Sequence, residues 1–153
     1  MTLRVLLATL HLLALGIGLG AVWTRARLLS ARPLDVVSAR RAFVADAWWG
    51  IAAGLWIATG LWRLFASIEK PASYYMQNHV FLMKMGFLVL ILILEVWPMI
   101  MLARWRRDSG RNRDSWRPDE SAAGRIVTIS YVEAALVIAM VIAATAMVRG
   151  VGA

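Results

Sequence analysis

The chain has 153 residues, 61% of them hydrophobic, no cysteine, and 17 lysines and arginines against 9 aspartates and glutamates. Its length limits it to one domain, residues 1–153, and the core of so short a soluble protein could not enclose this much apolar material. The absence of cysteine excludes disulfides, thiolate metal sites and a cysteine nucleophile.

Four long apolar stretches follow one another along the chain, at about residues 3–23, 47–65, 80–103 and 126–148. Each is close to the roughly 20 residues that a helix needs to cross the hydrocarbon core of a bilayer. Backbone polar groups in lipid must be satisfied within a segment, and these stretches lack the alternation of β-barrel strands. We therefore predict an all-α, four-helix transmembrane bundle.

The positive charges predict how the bundle is oriented. Five arginines lie in the first connection, at residues 24–46, and seven lie in or beside the third, at 104–125, whereas the second carries only Lys70. By the positive-inside rule the first and third connections are cytoplasmic and both termini are non-cytoplasmic. The net charge of +8 is therefore assigned to topology and not to nucleic-acid binding, because the arginines lie beside apolar ends.

Local signals refine the connections. Arg4 and the apolar run after it resemble a secretory signal, but the run exceeds the usual 7–15 residues, which favours its retention as the first span. Asp35 is placed to cap a helix that begins at Val36 and runs into the second span. The third connection is polar and broken by glycine and proline, so we expect a flexible loop over residues 106–125.

Small residues and a proline mark features of the spans themselves. Gly16 with Gly20, and Gly50 with Gly54, are spaced four residues apart, which favours close packing of helices in lipid. Pro98 is expected to kink the third span.

Ionisable residues inside spans usually face the bundle interior, so they are the first candidates for function. Antiparallel threading divides them into two groups. The non-cytoplasmic half holds His11, Arg63, His79 and Lys84. The cytoplasmic half holds Asp46, Glu95 and Glu133 near Arg25, Arg27, Arg40 and Arg41. We place Arg27 and Arg41 in the polar interior with the three carboxylates. This inner group either pairs charges to hold the bundle together or relays protons or ions.

His11 belongs to a stripe with Arg4, Gly18 and Arg25, since the four residues recur every seven positions. It is a hydrogen-bonded interior histidine, a haem b ligand or a metal ligand. Gly18 would leave room for a macrocycle, Lys84 and Arg63 would face its anionic groups, and a methionine such as Met83 or Met85 could be the second axial ligand. With two histidines and no cysteine, we predict no metal site of another kind.

The segments ARRAFVADAWWGIAAGLWIATGLWRLF and EKPASYYMQNHVFLMKMGF resemble an uncharacterised bacterial family of small integral membrane proteins, domain of unknown function 2214. The resemblance implies four helices in a bacterial inner membrane and supplies no activity. The matching residues cover most of the chain: Arg40 or Arg41, Asp46, Gly50, Thr59, Gly60, Arg63, Lys70, Tyr74, Tyr75, Asn78, Phe81, Lys84, Pro98, Arg104 and Trp105.

A fainter likeness is to the oxygen-independent protoporphyrinogen oxidases and the copper-resistance D proteins. In this chain His11 is followed sixteen residues later by Arg27 and Leu28, a spacing similar to that of the oxidase family. The likeness implies that His11 is a haem candidate and that Arg27 and Lys84 bind acidic porphyrin side chains. Leu82 stands where that family has a histidine.

Together these observations predict a multi-pass inner-membrane protein that acts as a subunit or scaffold without catalysis of its own. Its partners would be the lipid bilayer, further copies of itself or a larger membrane complex, with no nucleic acid. A haem- or porphyrin-binding redox protein built on His11 is the alternative, and a small transporter is a third reading. Whether the chain is an enzyme is left open.

Overall fold

A computed structural model describes residues 2–66, 77–112 and 115–149, which fold into four helices. They are α1, Thr2–Leu29; α2, Val36–Phe65; α3, His79–Arg111; and α4, Glu120–Val148. No strand occurs in these three ranges, so the prediction of an all-α, four-helix fold is confirmed. Lys70, Tyr74 and Tyr75, which contribute to the family resemblance, lie outside the described residues, as does Arg113.

The helices are longer than the apolar stretches that predicted them. At 1.5 Å per residue, helices of 28 to 33 residues extend roughly 42–50 Å, against a hydrocarbon core of about 30 Å. The additional turns carry arginines and lie where residues 30–35 and 112–119 connect the helices. We call this the basic end of the bundle, and the end near residues 2, 66 and 77 the opposite end.

The connections at the basic end are correspondingly short. Asp35 caps α2 as predicted, since its carboxylate accepts a hydrogen bond of 2.7 Å from the backbone N–H of Ser38. The expectation of a flexible loop over 106–125 was wrong, because α3 continues to Arg111 and α4 begins at Glu120. Arginine is a good helix former, and the Asp119 side chain accepts from the first N–H groups of α4.

Packing between the helices is uneven. α1 packs most extensively against α2 and also contacts α4, which packs in turn against α3, whereas α2 and α3 touch little. The first connection is fastened to the last helix, because the backbone N–H of Leu34 donates 2.9 Å to Oε1 of Glu120. Because α1 contacts both α2 and α4, and α4 contacts both α1 and α3, α1 and α4 form the central pair of the bundle.

Two apolar clusters fill the interior at different levels. The basic-end cluster includes Trp116, whose ring lies 6.1 Å from that of Trp105 and 6.2 Å from that of Phe43. The central cluster lies further from the basic end and draws on all four helices. Its buried members are Ala14, Ala21, Val22, Trp49, Trp56, Ile91, Ala134, Val137 and Met140.

The glycines that allow close packing within this chain are not the predicted pairs. A Cβ added at Gly18 would lie 3.2 Å from the Trp49 ring, so α1 and α2 meet closely there. By contrast, added Cβ atoms at Gly16, Gly20, Gly50 and Gly54 would meet nothing within 4 Å among the described residues. The two predicted pairs thus lie on outward faces of α1 and α2.

The outer surface of the bundle is apolar on every side. Leu12, Ile51, Ile93 and Ile142, one from each helix, are each more than 60% exposed. A soluble monomer rarely exposes contiguous apolar surface on this scale. All four helices are long and apolar enough to cross a bilayer, so the chain is a membrane protein.

Candidate functional site

One buried guanidinium organises the polar interior. Arg25 is fully buried in α1, and its five N–H donors make five hydrogen bonds with side chains of the other three helices. Its Nε donates 3.0 Å to the hydroxyl of Ser130 in α4. No N–H of this side chain is left without an acceptor.

Carboxylates from three helices receive the remaining donors. Nη1 of Arg25 donates one hydrogen bond of 2.8 Å to Oδ1 of Asp46 and another of 2.7 Å to Oε1 of Glu95. Nη2 donates 2.8 Å to Oε2 of Glu95 and 2.8 Å to Oε2 of Glu133. Glu95 is therefore held by both oxygens, in the two-pronged geometry that suits a guanidinium. We call Arg25, Asp46, Glu95, Glu133 and Ser130 the Arg25 cluster.

A second arginine borders this cluster on the side of the basic end. Nη2 of Arg106 lies 3.8 Å from Oδ2 of Asp46 and donates 2.8 Å to the backbone carbonyl of Phe43. The Arg106 side chain is 52% exposed, whereas those of Asp46 and Glu95 are 15% and 19% exposed. The cluster therefore reaches the surface at one edge while Arg25 and Glu133 stay fully buried.

A cavity occupies the opposite half of the bundle. It has a volume of about 140 Å³ and lies among α1, α2, α3 and α4. His11, Arg63 and Lys84, the three residues predicted for ligand binding, all line it. Its apolar walls include Trp56, Phe81, Leu88 and Met140. The central apolar cluster lies between this cavity and the Arg25 cluster along the helices.

His11 is fixed at the cavity wall by α2. Its Nδ1 lies 3.0 Å from the hydroxyl of Thr59, and its ring lies 5.5 Å from that of Trp56. Gly60 provides the space for the imidazole, since an added Cβ would stand 3.1 Å from Cε1 of His11. The buried Nε1–H of Trp56 has no acceptor in the described part of the chain. The cavity thus has apolar walls and three basic residues, and one of its wall residues, Trp56, has a donor without an acceptor among the described residues.

The cavity as it stands is smaller than a haem. A cavity of about 150 Å³ in another protein admits benzene, and a porphyrin consists of four linked five-membered rings, so it is several times larger. Met85 lines the cavity, but Met83 and His79 are exposed on α3 and are absent from its lining. Among the described residues, three methionines line the cavity with His11, namely Met85, Met140 and Met147, and no second histidine does.

Not all of the predicted residues converge. The three predicted carboxylates, Asp46, Glu95 and Glu133, come together around Arg25. His11, Arg63 and Lys84 come together at the cavity. Arg27 and Arg41, however, are exposed outside the Arg25 cluster. Arg41 instead lines a shallow outer groove between α1 and α2. The central role of Arg25 was missed, although the seven-residue stripe that it shares with His11 was the available signal. Ser130 and Trp56 were not singled out as site residues.

Comparison with known families agrees with this architecture. The family model described as "Predicted membrane protein (DUF2214)" matches residues 3–152, nearly the whole chain. The chain belongs to the DUF2214 family. No curated protein and no solved structure matches it. Membership in DUF2214 therefore establishes a membrane protein and carries no activity to the Arg25 cluster or to the cavity.

Proposed function

We propose that this DUF2214 protein is a non-catalytic subunit or scaffold of the bacterial inner membrane, with its basic end in the cytoplasm. The observation that carries the proposal is the Arg25 cluster. Hydrogen bonds from the single guanidinium of Arg25 link all four helices, and loss of an ionised partner would leave a buried charge uncompensated. In this role the cluster holds the shape of the bundle to which partners bind.

The outward face of α1 and α2 is the proposed docking surface, and its occupant is a transmembrane helix of another subunit. Gly16, Gly20, Gly50 and Gly54 lie open there. An outer groove of about 520 Å³ is lined by Gly20, Ala21 and Ala45 among others. Small residues let a partner helix approach the backbone closely, and close approach drives helix association in lipid.

The test compares two open glycines in native membranes. Gly20→Leu would fill the groove, whereas Gly86→Leu changes an open glycine on α3 and serves as the control. The proposal expects a stoichiometric complex on native gels, retained by Gly86→Leu and lost in Gly20→Leu. A monodisperse monomer in wild-type membranes, or equal behaviour of the two variants, would refute it.

A second candidate function is binding of a small apolar anion in the cavity, and the unused Trp56 donor beside three basic residues favours it. A ring of benzene size that bears one carboxylate matches a volume of about 140 Å³. Benzoate is therefore a suitable probe, and benzyl alcohol is its neutral control.

Binding would appear as a rise in the thermal midpoint of the detergent-solubilised protein. The rise should occur with benzoate, be absent with benzyl alcohol, and shrink in Trp56→Phe, which keeps the ring and removes the N–H. Lys84→Met should reduce it further. Equal shifts with both compounds would refute an anion site.

The haem alternative has its own test. A preparation from haem-replete cells should be colourless, and a Soret band would reinstate the haem alternative.

A further inference from the structure

The charges of the Arg25 cluster do not balance if every acid is ionised. Two guanidinium groups, of Arg25 and Arg106, face three carboxyl groups, of Asp46, Glu95 and Glu133. The group would then carry one uncompensated negative charge inside a membrane bundle. Burial of an unpaired charge is among the most costly arrangements in a protein, and the surrounding lipid increases the cost.

The hydrogen bonds identify the acid that is out of balance. Both oxygens of Glu95 accept N–H groups of Arg25. Asp46 places one oxygen on Arg25 and the other 3.8 Å from Arg106. Glu133 accepts from Arg25 through Oε2 only, and its Oε1 has no partner among the described residues. The Glu133 side chain is also fully buried, so bulk water does not supply one.

We propose that Glu133 is a proton-binding site, with the proton carried on Oε1. Addition of one proton there forms a neutral carboxylic acid, while the carbonyl oxygen Oε2 continues to accept from Nη2 of Arg25. The two guanidinium groups then face two carboxylates, those of Asp46 and Glu95. The Arg25 cluster together with Arg106 is therefore neutral. In an apolar interior a neutral carboxylic acid costs far less than an ionised carboxylate oxygen without a donor.

A metal cation is a poor alternative to the proton. Hard cations take six or more oxygen ligands, or keep several waters, but here the other carboxylate oxygens are already engaged by Arg25 and Arg106. Within the described ranges, no group of three or more histidine, aspartate or glutamate side chains is arranged to hold a metal. Oε1 of Glu133 alone would be left to bind the ion.

Infrared spectroscopy of the intact protein in lipid provides the direct test. A protonated carboxyl group has a carbonyl stretch separate from that of carboxylates, and it shifts when the acid proton is exchanged for deuterium. The wild-type protein at neutral pH should show one such band, and Glu133→Gln should lack it. Absence of the band in the wild type, or its persistence in Glu133→Gln, would overturn the proposal.

Stability provides an independent test with a matched variant. If Glu133 is neutral, glutamine reproduces its shape and charge, so Glu133→Gln should change the unfolding equilibrium constant by no more than about threefold. Glu95→Gln removes an ionised partner of a buried guanidinium and should raise that constant by about a hundredfold or more. Equal losses in the two variants would contradict a proton on Glu133. If neither variant folds, the wild-type infrared band alone decides.

Discussion

At the residue scale, Arg25 shows what a sequence can and cannot reveal about a polar interior. Its seven-residue spacing from His11 placed both on one stripe, and the threading placed three carboxylates at its depth. The sequence did not distinguish Arg25 from Arg27, two positions later. Two residues turn a helix by about 200°, so one of these side chains enters the bundle and the other faces outward.

Replacement of Arg25 should therefore be severe, and replacement of Arg27 mild. Arg25→Leu leaves three carboxyl groups without their donor and should cost about 3–5 kcal/mol of unfolding free energy. Arg27→Leu, an exposed position on the same helix, should cost no more than about 0.5 kcal/mol. Denaturation in mixed micelles measures both, and similar losses would argue against a central role for Arg25.

At the element scale, the positions of the helices followed from the apolar stretches, but their lengths did not. The hydropathy of the sequence identifies the apolar part of each helix. Because the additional helical turns are rich in arginine, their composition predicted connections and not helix. Where a cap was visible, as at Asp35, the helix start was predicted correctly. The start of α4 was missed, because Asp119 lies among other polar residues and Trp116 packs on a distant part of the chain.

The Asp35 cap should make the first turn of α2 sensitive to acid. Hydrogen bonds from the backbone N–H and then the hydroxyl of Ser38 hold the pKa of the Asp35 carboxyl below its usual value. A lowered folded-state pKa means that the stabilisation is present above the unfolded value of about 3.9, and is lost as the pH falls through the folded value.

Amide hydrogen exchange at the start of α2 measures this effect. Acidification below about pH 4 should reduce protection of the Ser38 amide in the wild type. Asparagine also caps helices but does not titrate, so Asp35→Asn should keep its protection over the same pH range. A parallel loss in both proteins would show that the acid sensitivity arises elsewhere.

At the scale of the whole molecule, the fold separates two polar regions by an apolar layer. The Arg25 cluster lies between the basic-end and central apolar clusters, and the His11 cavity lies beyond the second of them. Antiparallel threading predicted this division from the depth of each residue. The cavity itself could not be predicted, because its volume depends on how Trp56, Phe81 and Met140 pack.

The orientation of the molecule can be tested because the chain has no cysteine. Ser115 and Gln77 are exposed at opposite ends of the bundle, so each can be replaced singly by cysteine. If the basic end is cytoplasmic, a membrane-impermeant maleimide should label Gln77→Cys in spheroplasts and Ser115→Cys only after permeabilisation. The reverse pattern would invert the predicted topology.

The spread of the Arg25 contacts along the chain has a consequence for biogenesis. Glu133 is 108 residues downstream of Arg25, a distance that a ribosome covers in roughly 5–20 s at usual elongation rates. During that interval the first helix carries a cation whose last partner has not been synthesised. A nascent chain that stops before α4 therefore leaves two N–H groups of Arg25 without the acceptors that Ser130 and Glu133 provide in the complete bundle.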